Sequence, residues 1–372
     1  MRVALVHYWL LGSRGGEKVF EAICRLLPDA DIFTLLYDPE RVSPFIRSRN
    51  VKASFLNPLK SIHRSLLPLM PMALESFDLR SYDLVISSES GPAKGVITSA
   101  DTRHICYCHT PMRYLWDLYP AYRNDFGQGR IARALMAPVS SYLRTWDYST
   151  AARVDTFLAN SWNVRRRIWR AYRRRARVVH PPVDTASCFH KRAEGYFLMV
   201  SEMVSYKRLD YAIRAFSRNG RRLKVVGDGP DYRDLKKLAA ENIEFCGRVS
   251  DPELHDLYAR CNGLIMPGEE DFGMTMVESL ASGKPVIAFG RGGAVEIVGE
   301  RGGILYDETS EDALNGALRI FDAVAPSLNP FEMRASASRF SVEVFEKKFQ
   351  SVLSREPGSS AAPQLEFSAP AR

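Results

Sequence analysis

The sequence predicts an α/β protein built from two doubly wound parallel sheets. Short apolar segments alternate with helix-period segments along the chain, a pattern typical of parallel sheets that are covered on both faces. The length of 372 residues suits two domains of ordinary size. The alternation is interrupted once, at HPPVDTASCFHKRAEG, residues 180–195, where Pro181 and Pro182 exclude both a helix and a central strand.

These observations predict the domain boundaries. The first domain covers residues 1–182, with strands in VALVHYW, DIFTLL, DLVISS, HICYCH, DTFLANS and RVVHP, and a linker follows at 183–194. The second domain covers 195–335, with strands in YFLMVS, RLKVVGD, IEFCG, GLIMP, KPVIAF and GGILY. A last helix within 336–354 has a single apolar face that needs a surface to pack on. The tail at 355–372 is rich in Pro, Ser, Ala and Gly, and we expect it to be disordered.

Composition narrows the functional classes. Hydrophobic residues at 46% and charged residues at 25% are typical of a soluble globular protein, and no apolar segment reaches the ~20 residues that span a bilayer. MRVALVHYWL lacks a small-residue cleavage site and is interpreted as a buried strand. The six cysteines form no C-x-x-C pair, which indicates neither a zinc site nor a disulfide framework and favours a reducing cytoplasm. The net charge of +8 leaves nucleic acid, an anionic membrane and phosphorylated substrates open.

The first candidate ligand loop is GSRGGEKVF, residues 12–20, between the first strand and a helix. Gly15 and Gly16 let the backbone approach a ligand, and a helix N-terminus favours an anion; the alternative is a tight turn. A second glycine pair occurs in RLKVVGDGPD, residues 222–231. Tyr232 stands where a dinucleotide fingerprint requires glycine, so this segment favours an ordinary strand-to-helix turn.

Two further candidates carry charge or a titratable ring. Lys207 and Arg208 begin a helix, where cations oppose the helix dipole; either a bound phosphate or a solvated charge pair explains them. His109 closes a strand, and strand ends are where open α/β sheets bind ligands, although a lone histidine is more often structural.

The segment PGEEDFGMTMVE, residues 267–278, carries the most specific pattern. Glu270 lies in a strand-to-helix loop, Gly273 lets the backbone approach a ligand, and Glu278 lies inside the following helix, which we expect Thr275 to cap. Charged carboxylates are strong acceptors for hydroxyl groups. Glu269 and Asp271 are interpreted as solvated or loop-shaping neighbours, but a solvated acidic turn does not explain Glu278 among apolar neighbours.

Several motifs together resemble the retaining glycosyltransferases of family 4. They are EDFG-x4-E at 270–278, ASGKPVIAFGRGGAVEIV at 281–298, GGEKV at 15–19, YCHTPMRYLWD at 107–117, HPPVD at 180–184, YKRLD at 206–210 and FCGRVSD at 245–251. The resemblance extends to about residue 353 and is greatest to the mannosyltransferase branch of O-antigen and exopolysaccharide assembly. It implies the GT-B fold: two Rossmann-like domains face each other across a cleft, and the helix at 336–354 crosses back onto the first domain.

The resemblance also implies roles for individual residues. The catalytic set would be His109 near the transferred sugar, Lys207 on the diphosphate and Glu270 on the sugar hydroxyls. The other donor-binding residues would be Gly15, Gly16, Arg208, Gly247, Arg248, Phe272, Gly273, Met274 and Glu278, with Glu278 on the ribose and Arg248 near the base. Glu202 departs from the family, which usually has an arginine there, so this acid is expected to oppose diphosphate binding.

The implied function is transfer of a hexose, above all mannose from GDP-mannose, with retention, to a saccharide acceptor on a polyprenyl diphosphate. No D-x-D motif follows a strand in the required context, so no metal or other cofactor is expected. The alternatives are a UDP-sugar-dependent enzyme of the same fold, a sugar-nucleotide epimerase and a non-catalytic basic binding protein.

The expected partners are the nucleotide sugar, the lipid-linked acceptor and an anionic membrane surface, with no nucleic acid. VRRRIWRAYRRRAR at 164–177 and PLKSIHRSLLPLMPMAL at 58–74 are candidate interfacial segments on the inner face of the cell membrane. A solvated basic helix and an internal packing helix remain the alternative interpretations of these two segments.

Overall fold

The computed structural model describes residues 1–120 and 130–354. A first sheet has seven parallel strands in the order β3-β2-β1-β4-β5-β6-β7. Its strands are β1 Val3–His7, β2 Asp31–Thr34, β3 Val51–Ala53, β4 Leu84–Glu89, β5 Arg103–Cys108, β6 Thr156–Ala159 and β7 Ala176–Val178. Consecutive strands here are joined by helical crossovers, as parallel pairing requires.

A second sheet has six parallel strands in the order β10-β9-β8-β11-β12-β13. Its strands are β8 Tyr196–Val200, β9 Arg222–Val226, β10 Ile243–Gly247, β11 Leu264–Met266, β12 Val286–Phe289 and β13 Gly303–Tyr306. The prediction of two parallel-sheet α/β domains is confirmed.

Helices cover both faces of each sheet. In the first half they are α1 Gly15–Leu26, α2 Pro44–Arg47, α3 Met70–Glu75, α4 Arg130–Thr150 and α5 Trp162–Tyr172. In the second half they are α6 Leu209–Asn219, α7 Tyr232–Leu238, α8 Asp251–Arg260, α9 Met274–Ala281, α10 Ala294–Val298, α11 Glu311–Val324, α12 Pro330–Ala337 and α13 Val342–Leu353. Short 3₁₀ segments include Asn57–Leu69, Ala93–Gly95 and Ser205–Lys207. Both sheets are therefore buried, which explains their continuous apolar strands.

Each sheet reverses its strand order at one place. In the first sheet, β1 lies between β2 and β4, and in the second, β8 lies between β9 and β11. Ligands bind open α/β sheets at such switch points, outside the carboxyl ends of the strands. The glycine loop follows β1, the loop at 201–208 follows β8, and the acidic loop at 267–273 follows β11. The sequence motifs thus lie at the two switch points.

The chain crosses between the domains twice. The segment at 183–194 is built into the second domain, where Val183 and Cys188 are buried in its core. After α12 the chain returns, and α13 packs Phe345 and Phe349 against the core of the first sheet. The guanidinium of Arg103 donates to the carbonyls of Val352 and Leu353 at 2.8 and 2.9 Å, which fixes the end of α13. The predicted disordered tail at 355–372 lies outside the described residues.

Candidate donor-binding site

The glycine loop meets both domains. A Cβ at Gly15 would lie 3.4 Å from the sulfur of Met274, the first residue of α9 in the second domain. A Cβ at Gly16 would lie 3.9 Å from the hydroxyl of Tyr8 and 4.0 Å from Nε2 of His109. The structure therefore brings Gly15, Gly16, His109 and Met274 together, and the small glycines leave the backbone accessible there.

His109 directly follows β5, and its backbone N–H donates to the carbonyl of Glu89 at 2.7 Å. Its Nε2 lies 3.0 Å from the hydroxyl oxygen of Ser88, a hydrogen-bonding distance. Burial lowers the pKa of His109 to about 4, so the ring is neutral at pH 7. A neutral imidazole can serve as a hydrogen-bonding group beside a sugar without adding charge.

Lys207 and Glu270 form an ion pair at the centre of the site, with 18% and 16% of their side chains exposed. Lys207 ends the 3₁₀ turn after β8, and Glu270 belongs to the loop after β11, so each comes from the second switch point. Burial acts to lower the pKa of Lys207, but the charges of Glu270 and its neighbours prevail and the net pKa is raised. The lysine is therefore held fully protonated beside an acceptor carboxylate.

Glycines shape the acidic loop. Gly273 has a φ of 100°, and a Cβ on it would lie 2.1 Å from Cε of Met276, so only glycine fits. Gly293 donates its N–H to the carbonyl of Glu270 at 2.9 Å and supports the loop from behind. The ring of Phe272 is buried and stacks on His180, with ring centroids 5.6 Å apart, so any donor contact from Phe272 must come from its backbone.

Glu278 lies inside α9, where its carboxylate accepts a hydrogen bond of 2.9 Å from the hydroxyl of Tyr258. Burial raises the pKa of Glu278, and the Tyr258 hydroxyl partly offsets this. The expected N-cap is wrong: Gly273 occupies that position without a side-chain cap, and Thr275 lies inside the helix. The helix does end as expected, with Gly283 in the left-handed conformation at φ 67°.

Of the two interpretations of Glu269 and Asp271, solvated or loop-shaping, the contacts favour the loop-shaping one. The guanidinium of Arg167, in α5 of the first domain, donates to Glu269 at 2.6 Å and to Asp271 at shorter range. Arg113 also approaches Asp271, at 3.7 Å. These arginines bind the acidic loop across the cleft, and Arg167 therefore does not belong to a basic face that is free for a membrane.

Three of the proposed donor residues lie apart from this cluster. Arg208 has a φ of 55° and its guanidinium points to Asp210 at 3.3 Å and Thr309 at 3.4 Å. Gly247 ends β10, an edge strand of the second sheet, and the Arg248 side chain pairs with Asp228 at 2.7 Å. The structure does not bring Arg208 to the Lys207–Glu270 pair, and it places Arg248 at the far side of the switch point.

Two protein-family models match this chain, one for each half. The family model "Glycosyltransferase Family 4" matches residues 13–187, and "Glycosyl transferases group 1" matches residues 187–322. Together the two glycosyltransferase domain models cover residues 13–322 of the chain. The two matches meet at residue 187, inside the segment that connects the two sheets.

Sequence relatives of this chain are distant. An uncharacterized glycosyltransferase of Methanocaldococcus jannaschii is 28% identical over 201 residues, 52% of this chain and 55% of the relative. A GDP-mannose-dependent alpha-(1-6)-phosphatidylinositol monomannoside mannosyltransferase of Mycobacterium tuberculosis is 33% identical over 148 residues, 35% of this chain and 37% of the relative. The chain thus spans about half or less of the length of these relatives.

The chain is also similar to solved structures over nearly its whole length. HepE of Anabaena, determined in complex with UDP and glucose, matches with a TM-score of 0.68 and 17% identity, covering 95% of this chain and 99% of HepE. This likeness supports the GT-B fold alone.

The sequence did not indicate the contacts that join the two domains. Arg14, directly before α1, donates from one guanidinium nitrogen to both carboxylate oxygens of Glu202 at 2.9 Å. The hydroxyl of Ser161 donates to the carbonyl of Asp271 at 2.6 Å, and Lys18 pairs with Asp251 at 3.2 Å. Arg14 directly precedes Gly15 and Gly16 in the predicted ligand loop, and this position is the sequence feature that could have indicated its role.

Within residues 1–120 and 130–354, no group of three or more His, Cys, Asp or Glu side chains is arranged to hold a metal ion. In the same part of the chain, no helix is both long and apolar enough to cross a membrane. The groups that this cleft does present are acceptor carboxylates, cationic side chains and backbone amides at glycine-rich loops.

Proposed function

We propose that the protein is a hexosyltransferase that takes a sugar from a nucleoside diphosphate donor. The observation that carries the proposal is the ion pair between Lys207 and Glu270, which lies at a sheet switch point. The loop of Glu270 leads into Met274, whose sulfur would lie 3.4 Å from a Cβ on Gly15 in the glycine loop of the other domain. A lysine can bind the phosphates, and a carboxylate fixed at this position can accept hydrogen bonds from sugar hydroxyls. Glu278 supplies a second carboxylate, which we assign to the ribose.

The proposed chemistry depends on the departing diphosphate. Its negative charge grows as the glycosidic bond breaks, and fixed positive groups stabilise that charge. Lys207 and the amides at Gly15 and Gly16 supply this stabilisation. The leaving phosphate accepts the proton of the acceptor hydroxyl on the same face of the sugar, so the configuration is retained. Neutral His109 lies beside the glycine loop and contacts the transferred sugar.

We propose GDP-mannose as the donor. The support is the family resemblance together with the Mycobacterium relative, whose name specifies GDP-mannose. A UDP-sugar is the second candidate, since HepE of the same fold was solved with UDP and glucose. A thermal-shift panel of GDP- and UDP-sugars separates the two, because a ligand that binds only the folded state raises the melting temperature.

The decisive experiment measures nucleoside diphosphate release with the donor that the panel selects. Glu270→Gln is expected to lower kcat/KM about 100-fold, the usual effect of removing one positioned group at a reacting centre. Glu244→Gln is the matched control, because Glu244 is an exposed acid that pairs with Lys224 at 3.2 Å on the edge of the second sheet. Equal rates for both variants and the wild type would refute the assignment of the site.

We further propose a saccharide acceptor on a polyprenyl diphosphate and peripheral association with an anionic membrane. Within residues 55–72, five large apolar side chains are 42–55% exposed: Phe55, Leu59, Ile62, Leu69 and Met72. Apolar groups on one segment with lysines nearby suit the interface of a membrane. Flotation with anionic and neutral liposomes tests this, and replacement of Ile62 and Met72 by Ser should release the protein. Absence of binding to both liposome types would reject it.

We expect the transfer to be independent of metal. The test is the same release assay in EDTA, with and without added Mg²⁺ or Mn²⁺. Unchanged turnover is the expected result, and a loss that either cation restores would contradict it.

A further inference from the structure

Arg14 and Glu202 form an ion pair between the two walls of the cleft. Arg14 directly precedes Gly15 and the amino end of α1 in the first domain, and Glu202 follows β8 in the second. One guanidinium nitrogen of Arg14 donates to both carboxylate oxygens of Glu202 at 2.9 Å. The guanidinium thus holds an anionic group between the glycine loop and the turn that carries Lys207.

The backbone around Glu202 is held firmly. The N–H of Ser201 donates to the carbonyl of Val226 at 3.0 Å, and the N–H of Met203 donates to the carbonyl of Asp228 at 2.8 Å. A Cβ on Gly227 would lie 2.0 Å from the Ser201 carbonyl oxygen, so this glycine allows the two segments to touch. Gly227 therefore allows the close contact that fixes the backbone on either side of Glu202.

The side chains of the pair, by contrast, are accessible. Arg14 is 60% exposed and Glu202 is 30% exposed, and exposed ion pairs of this kind are weak. A carboxylate and a phosphate offer a guanidinium the same kind of acceptor oxygens. A diphosphate carries more negative charge than one carboxylate, so it can displace Glu202 from Arg14.

We propose that Arg14 is a ligand of the donor diphosphate and that Glu202 occupies its guanidinium until the donor binds. This inference rests on the proposed function and adds to it a residue from the first domain. It also explains how an acid can lie beside the proposed diphosphate site, because Arg14 neutralises the charge of Glu202. Glu17, whose carboxylate accepts from the N–H of Arg14 at 3.2 Å, keeps the loop in place.

The competing explanation is a clasp, an ion pair that only holds the two domains together. It predicts a different direction for the effects of the two substitutions on diphosphate binding. In a clasp, removing either partner breaks the same interaction and shifts binding in the same direction. In the proposed exchange, Arg14→Gln removes a ligand and weakens binding, whereas Glu202→Gln removes a competitor and strengthens it. The signs of the two effects therefore separate the explanations.

The experiment measures dissociation constants for GDP, UDP and the two nucleosides by calorimetry, in the full chain. For the better diphosphate, Arg14→Gln should weaken binding about tenfold, as expected for one charge-assisted hydrogen-bonding group. Glu202→Gln should tighten it about threefold, and nucleoside binding should not change in either variant. Lys18→Gln is the control for loss of an interdomain ion pair, since Lys18 pairs with Asp251 at 3.2 Å.

Each outcome has a defined meaning. Opposite shifts for Arg14→Gln and Glu202→Gln, confined to diphosphates, support the inference. The inference is overturned if the two variants shift binding in the same direction, if Lys18→Gln gives the same shift, or if neither variant changes binding. In each of these cases, diphosphate binding by the wild type would still support the proposed function. If the wild type binds neither GDP nor UDP, nor their sugars in the thermal-shift panel, the proposed function fails and the inference fails with it.

Discussion

Two lysine–carboxylate pairs in this protein have opposite environments. Lys94 pairs with Asp147 inside the first domain, with Glu89 3.6 Å from the ammonium, and none of the three side chains has any exposed surface. Lys207 pairs with Glu270 at the cleft, where both side chains are partly exposed. The chemistry of the pairs is the same, so their surroundings decide what each can do.

The partners of Asp147 explain why the first pair is structural. Its carboxylate also accepts hydrogen bonds from the indole of Trp116 at 2.8 Å and from the hydroxyl of Tyr172 at 2.9 Å. Burial raises the pKa of Glu89 to about 7, and the charge of Lys94 limits that rise. A pair enclosed in this way leaves no acceptor for a ligand, whereas the pair at the cleft can exchange its partner.

The largest expected effect is on stability. Lys94→Met removes the cation that neutralises two buried acids, and breaking a buried pair in this way costs about 3–5 kcal/mol. Urea denaturation should show this loss, and turnover per folded molecule should stay at the wild-type value. A change in unfolding free energy below about 1 kcal/mol would contradict the structural role.

Lys207→Met should affect activity more than stability. The pair is mostly buried, but 16% of the Glu270 side chain stays exposed to water, so the loss of stability should be about 1–3 kcal/mol, smaller than the loss in Lys94→Met. Because the leaving diphosphate loses a fixed cation, kcat/KM for the donor should fall about 100- to 1,000-fold. Lys237→Met is the control, since Lys237 is 75% exposed and pairs only with nearby Asp234 at 2.7 Å among its charged contacts in the described chain. A large stability loss in Lys207→Met would remove the distinction between the two pairs.

The sequence could predict much of the fold and part of the site. Apolar strands alternating with helical periods identify parallel sheets, and loops that follow strands β1, β8 and β11 contain the glycines and acids that the motifs marked. These features are local, and local patterns can be read along one chain. The placement of Glu270, Glu278 and Gly273 around one loop could be predicted for this reason.

The contacts across the cleft could not be predicted. Arg167 binds an acid 104 positions away, and Arg14 binds one 188 positions away. Nothing in the local pattern around Asp271 shows which cation will face it, so the sequence leaves a solvated and a loop-shaping role open. Thr275 illustrates a second, smaller limit of sequence-based prediction. Gly273 takes the N-cap because its left-handed backbone ends the loop, and the N-cap preferences of residue types do not include this backbone requirement.

His7, a histidine that is buried near the cleft, should contribute an effect of intermediate size to the pH dependence of stability. Burial, aided by the nearby His109, lowers the pKa of His7 from 6.5 to about 3. The unfolded chain therefore takes up a proton as pH falls below 6.5 while the folded protein does not, so stability is lost as pH falls from 6.5 towards 3. At pH 5, about 1.5 units below the ordinary value, the cost is about 2 kcal/mol.

His7→Leu removes this acid sensitivity. The stability difference between pH 7.5 and pH 5 should be about 2 kcal/mol smaller in the variant than in the wild type, because the contributions of His104 and His109 are common to both. Urea denaturation at the two pH values measures it. An equal pH dependence in both proteins would show that His7 takes up its proton as readily in the folded protein as in the unfolded chain.

Tyr258→Phe has the smallest expected effect. It tests whether Glu278 is a structural acid like Asp147 or a ligand-binding acid like Glu270. The tyrosine hydroxyl is a hydrogen-bond donor to Glu278, and it lowers a pKa that burial raises. Without it the pKa rises further, so Glu278 is protonated at a higher pH and accepts ribose hydroxyls less well. One hydrogen bond is worth about 1 kcal/mol, so donor binding should weaken by at most about fivefold, and the loss should grow as the pH falls. Calorimetric titration at pH 6, 7 and 8 measures this, and a pH-independent affinity equal to the wild type would place Glu278, like Asp147, among acids that only hold the fold together.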